Sequence, residues 1–135
     1  MIVDSGVLYA FADADDRWRE PVRRLFENTR VPLLVPYTIL PEVLYMVNKA
    51  LGAKSELDLL LDLTQGPFQI VWPEPEDFHR CIEILREYSD ADLGFVDASV
   101  VAIAERLGIR RIATTDRRDF SLVRPKHCGA FELLP

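Results

Sequence analysis

The chain has 135 residues, 49% of them hydrophobic and 28% charged, a balance that fits one folded domain and excludes an intrinsically disordered chain. Two cysteines, Cys81 and Cys128, and two histidines are too few for a disulfide framework or a conventional zinc site. The formal net charge of −6 argues against a polyanion partner for the chain as a whole, but residues 106–126 hold seven basic and two acidic residues, leaving −11 elsewhere.

No cationic leader precedes an apolar segment, and no apolar run approaches the ~18 residues needed to cross a bilayer, so a cytoplasmic protein with reduced thiols and no membrane contact is expected. The opening "MIVDSG" predicts a short buried strand over residues 1–4, followed by a helix over 5–12 carrying Val7, Leu8 and Phe11. A second helix is expected to start near Asp15 or Asp16, with Trp18, Val22, Leu25 and Phe26 at helical spacing. "VPLLVP" reads as a second strand. Thr38 is the expected cap of the next helix, whose first turn tolerates Pro41 and whose apolar stripe is Leu40, Val43, Leu44, Val47 and Leu51.

Gly52 breaks that helix, and "SELDLLLDL" predicts another with Ser55 as its cap. "FQIVW" has strand composition and is stopped by Pro73 and Pro75. The following segment places Phe78, Cys81, Ile82 and Leu85 at i, i+3, i+4 and i+7, an amphipathic helix in which Cys81 is a core residue. Residues 95–107 are apolar nearly all round and predict a deeply buried helix ended by Gly108. "RIATT" is a fourth strand and "FELL" a fifth. Apolar strands alternating with helices give an α/β fold with a central parallel sheet of four to five strands, and no linker divides residues 1–135.

Four carboxylates stand where such a fold places its ligand crevice. Asp4 follows the first strand and Asp116 the fourth; each has a bland reading as a helix or turn cap. Asp97 enters the most apolar helix, where an unpaired charge would be costly, and Glu42 lies in the first turns of the third helix, off its stripe. If the two strands are neighbours, the acids converge without a lysine or arginine among them. A hard divalent cation resolves that repulsion, and oxygen ligands without histidine or cysteine suit Mg²⁺ or Mn²⁺.

The opening "MIVDSG", the Glu of "PYTILPEV", the segment "DADLGFVDASVVAIAERLG", the stretch "IATTDRRDF" and the closing "HCGAFELLP" together resemble a PIN domain of the VapC-type toxins of toxin–antitoxin pairs. The resemblance spans the chain and implies a single PIN-like domain over 1–135, a three-layer sandwich with Mg²⁺- or Mn²⁺-dependent ribonuclease activity. It makes Asp4, Glu42, Asp97 and Asp116 the catalytic acids, with Asp4, Asp97 and Asp116 on the metal, and Asp92, Thr114 and Ser5 supporting them. It also implies a homodimer and a cognate antitoxin, for which Trp18, Tyr45 and Met46 are candidate contacts. Arg110, Arg111, Arg117 and Arg118 are expected to grip the RNA backbone beside the acidic pocket. Gly6 departs from the pattern, where many relatives carry a hydroxyl residue; Ser5 is the expected substitute.

Rival readings fail on single residues. A haloacid-dehalogenase-type phosphatase needs a second Asp where this chain has Gly6, and a response-regulator receiver needs a late lysine where only Lys49, Lys54 and Lys126 occur. The remaining alternative is a PIN fold kept as an idle RNA- or protein-binding scaffold, which the presence of all four acids disfavours.

Overall fold

A computed structural model describes residues 1–135. Five strands form one all-parallel sheet in the order β3-β2-β1-β4-β5, with β1 at Ile2–Val3, β2 at Leu33–Pro36, β3 at Phe68–Val71, β4 at Arg111–Ala113 and β5 at Glu132–Leu134. Seven helices connect them: α1 Ser5–Ala12, α2 Arg19–Asn28, α3 Leu40–Leu51, α4 Ala53–Gln65, α5 Pro75–Glu87, α6 Phe95–Leu107 and α7 Arg117–Leu122. The chain steps from β1 outward to β3 in one direction and from β4 to β5 in the other. Because crossovers are right-handed, α1–α4 cover one face of the sheet and α5–α7 the other. The expected three layers result.

The core follows from the apolar strands. Ile2, Val3, Val35, Ile112 and Ala113 are fully enclosed between the two helical layers. Helix α6 buries seven consecutive residues, Ala98–Ala104, which its small alanines permit by letting the sheet and α5 approach from different sides. Gly108 ends it in the left-handed conformation at φ 66°, where a side chain would be strained. No helix is long and apolar enough to cross a membrane.

Several boundaries differ from the sequence reading. Helix α2 starts at Arg19, because Asp16 instead accepts the Trp18 backbone N–H at 2.7 Å and holds a turn ahead of the helix. Thr38 lies in a 3₁₀ turn, Tyr37–Ile39, and its hydroxyl pairs with Ser99 Oγ at 2.6 Å instead of capping α3. Ser55 is inside α4, donating back to the Leu51 carbonyl, since Gly52 at φ 95° turns the chain early enough for Ala53 to begin the helix.

Helix α5 is rotated from its predicted stripe. It buries Asp77, Cys81 and Ile84, while Phe78 and Ile82 remain exposed. Two ion pairs to α6 set that rotation: Arg106 Nε to Asp77 Oδ1 at 3.0 Å, and Arg80 Nε to Glu105 Oε2 at 2.7 Å. Charged residues that pair across the interface outcompete two apolar side chains for the inward face.

Candidate active site

Strand order reverses between β1 and β4, and a crevice opens at their carboxyl ends, as expected at a switch point in an α/β sheet. The register is fixed by Ile2 opposite Ile112 and Val3 opposite Ala113, and extended by the Asp4 N–H donating to the Ala113 carbonyl at 2.9 Å. Asp4, Thr115 and Asp116 therefore come together at the crevice, with Thr114 buried against Asp4. The pocket there, about 400 Å³, is lined by Asp4, Glu42, Asp97, Asp116 and a fifth acid, Asp119, with Ser5, Gly6, Thr115 and the start of α6. No lysine, arginine or histidine lines it.

Each acid is set by local structure. Asp4 stands at the N-cap position of α1, and its carbonyl accepts the Leu8 N–H, but its side chain makes no bond to the N2 or N3 amide in the manner of a cap. Instead, Asp4 Oδ2 accepts the hydroxyl of Thr114 at 2.9 Å, both residues being almost completely buried. Burial raises the Asp4 pKa, the Ser5 backbone and Thr114 hydrogen bonds oppose that rise, and the charges of Glu42 and Asp116 add to it. Thr114 Oγ1 also accepts the Asp116 N–H at 3.0 Å, so one buried hydroxyl ties the ends of β1 and β4 together.

Asp97 is the third residue of α6 and its Oδ2 accepts the Gly94 N–H at 3.3 Å, a cap that orients the carboxylate toward the pocket. Its pKa is pushed up to about 6, first by burial and then by the charges of Asp4, Asp119 and Glu42, against the Gly94 hydrogen bond. Asp116 caps α7, accepting the Arg118 N–H at 3.1 Å. Glu42 is exposed at the rim and accepts the Ser5 hydroxyl at 3.4 Å.

Asp119 was absent from the sequence reading. It lies one helical turn after Asp116 on α7, and that i, i+3 acidic spacing is the signal that finds it. Burial raises its pKa, followed by the charge of Asp116; Arg118 opposes this and Asp92 adds to it. Asp92 itself sits exposed in the turn before α6 and does not line the pocket.

The arginines divide. Arg110 and Arg111 stand at the amino end of β4, at the opposite end of the sheet from the acids; Arg111 Nε binds Glu132 at 2.8 Å. Their expected place beside the pocket is corrected by strand direction: they enter β4, whereas the site forms where β4 leaves the sheet. Arg117 and Arg118 are exposed on the first turn of α7, next to Asp116, with the Arg117 guanidinium donating to the Pro135 carbonyl. Of the three apolar candidates for partner contacts, Tyr45 and Met46 are exposed on α3, whereas Trp18 is half-buried against the core. Tyr45 borders a shallow apolar groove with Leu44, Leu60 and Trp72.

The donor set fits a hard divalent cation. Five carboxylates face one pocket with no basic side chain to balance them, and three of them, Asp4, Asp97 and Asp119, resist ionisation. No group of three or more carboxylates is drawn together tightly enough to ligate an ion alone. Mg²⁺ and Mn²⁺ need no closed cage of protein ligands: they take one or two carboxylates directly and reach others through their waters.

A sheet of this order with acids at its switch point defines a PIN-type α/β domain, and a family model described as "PIN domain" matches residues 1–124. The chain belongs to the PIN domain family. It is 30% identical over its full length to Ribonuclease VapC26 of Mycobacterium tuberculosis, which is covered completely. Its fold is shared with the sarcin–ricin-loop-cleaving toxin VapC20 of the same organism, at a TM-score of 0.83, 18% identity, and 94% of this chain and 97% of that one. It also superposes on a chain of a toxin–antitoxin complex from Klebsiella pneumoniae, at a TM-score of 0.71, 19% identity, and 90% and 91% coverage.

Proposed function

We propose that this protein is a Mg²⁺- or Mn²⁺-dependent ribonuclease that hydrolyses phosphodiester bonds, acting as the toxin of a type II toxin–antitoxin pair. The observation that carries the reading is the convergence of Asp4, Glu42, Asp97, Asp116 and Asp119 on one pocket without a basic partner. Full-length similarity to a ribonuclease supports the substrate class.

Asp4, Asp97 and Asp116 would hold the cation. When bound, the ion neutralises charge on the phosphate oxygens and acidifies a water. The Thr114 hydrogen bond aims Asp4 and favours its charged form against burial, and the Gly94 amide does the same for Asp97. Glu42, exposed on the rim, takes the proton of the attacking water. Arg117 and Arg118, on the same side of the sheet as the acids, meet the RNA backbone outside the pocket. A cognate antitoxin, suggested by the toxin–antitoxin complexes among the structural neighbours, covers the exposed apolar side chains around Tyr45. A homodimer working in the cytoplasm completes the reading.

Incubating the purified protein with total RNA in Mg²⁺ or Mn²⁺ tests the activity. Cleavage that stops with chelator and falls at least about 100-fold in Asp4→Asn is expected. Equal cleavage by Asp4→Asn, or cleavage indifferent to chelator, would refute the assignment. Co-expression with the protein encoded beside it, followed by size exclusion, tests the partner; a monomer that ignores that protein refutes the toxin role.

A further inference from the structure

We infer that Thr115 is a substrate-contacting residue, donating its hydroxyl proton to a non-bridging oxygen of the scissile phosphate. This rests on the ribonuclease reading and extends it to a residue outside the acidic set.

Three hydroxyls stand at the site. Ser5 gives its proton to Glu42 and Thr114 gives its own to Asp4. Thr115 is half-buried in the pocket lining, and its hydroxyl has no hydrogen-bond partner within the protein. Thr114 is buried and bound to Asp4, whereas Thr115, in the bend that follows β4, lines the pocket itself.

Gly6 fixes where that hydroxyl lies. A Cβ built on Gly6 would fall 2.2 Å from Thr115 Oγ1, far inside van der Waals contact. The absent side chain at position 6 is the notch that the Thr115 hydroxyl fills, over the first turn of α1 and beside Asp4. Thus Thr115 takes the place expected of Ser5, whose proton is already committed.

The pocket's chemistry calls for such a donor. Apart from Ser5, whose proton goes to Glu42, its other side chains are acidic or apolar, so an entering phosphate meets acceptors that repel it. A neutral hydroxyl can donate to a phosphate oxygen without bringing a positive charge that competes with a cation for the carboxylates. Removing one donor to a charged oxygen costs about 10- to 100-fold in rate.

The test measures cleavage of a randomised single-stranded RNA pool in Mn²⁺, with melting temperature monitoring the fold. Thr115→Val is expected to lose about 10- to 100-fold in kcat/KM with an unchanged melting temperature, and Thr115→Ser to retain activity. In the double variant Gly6→Ser with Thr115→Ala, the hydroxyl enters the same notch from the other side and activity recovers. Wild-type cleavage by Thr115→Val beside an inactive Asp4→Asn overturns this inference alone, as does a folded double variant without recovery. Wild-type cleavage by Asp4→Asn overturns the ribonuclease reading itself.

Discussion

Asp97→Asn should stabilise the cation-free protein while abolishing its activity. The amide oxygen of Asn can still accept the Gly94 N–H, so the start of α6 is kept and only the charge is removed. In the folded chain Asp97 titrates at about 6, against an ordinary value of 3.8, so above pH ~6 its ionisation opposes folding. The full shift corresponds to about 3 kcal/mol, and partial solvent screening reduces this to about 1–3 kcal/mol. For a domain of this size that is a rise of about 3–10 °C in melting temperature.

The direction with pH is fixed. The native state binds the extra proton, so the advantage of Asn is largest above the folded value of about 6. It shrinks as the pH falls through that value and vanishes below about 3.8, where Asp97 is neutral in both states. Thermal unfolding by circular dichroism in chelator, at about pH 7.5 and at about pH 4, measures it. Adding Mn²⁺ should raise the wild-type midpoint and leave the variant nearly unmoved. An Asp97→Asn protein no more stable than wild type in chelator at about pH 7.5, or one whose advantage grows on acidification, would refute the reasoning.

Thr114→Val removes the hydroxyl between Asp4 and the Asp116 amide and should cost about 1.5–3 kcal/mol in urea unfolding, with cleavage lost and Thr114→Ser restoring both. Arg80→Ala leaves the nearly buried Glu105 with only the Lys126 backbone N–H as a hydrogen-bond partner and should cost about 3 kcal/mol, while cleavage well below the lowered midpoint stays normal because α5 does not line the pocket. Arg110→Ala with Arg111→Ala should cleave RNA within about twofold of wild type, because both lie at the far end of the sheet; a larger loss in kcat/KM would return them to the RNA path. Cys81, its thiol pushed up to about 11 by burial, should resist a thiol reagent in the native protein while Cys128 reacts, and both should react in denaturant.

The fold was largely legible because apolar runs and helical spacing report burial directly: β1 to β5 and α6 lie where composition placed them. Three of the five pocket acids are legible as charges at the ends of buried segments, and Glu42 as a charge in the first turns of α3, off its apolar stripe. What sequence hid were choices between competing hydrogen bonds. Thr38 and Ser55 have capping chemistry, but Ser99 offers one a partner and the Gly52 turn places the other inside a helix. Phe78 and Ile82 have core spacing, yet the Asp77–Arg106 and Arg80–Glu105 pairs, 29 and 25 residues apart in sequence, turn their helix away. The arginines misled for a simpler reason: a basic run of sequence crosses the sheet, so its two halves fall at opposite ends.

The hydrogen bond from Thr114 to Asp4 spans 110 residues of sequence. During synthesis the amino-terminal acid is made first and waits for the strand that will hold it, and the carboxylates of α6 and α7 are added late as well. A growing chain therefore cannot assemble the pocket until most of it has been made. A chain that stops short of β4 lacks Asp116, Asp119 and the hydroxyl that holds Asp4, and so has no complete acidic pocket.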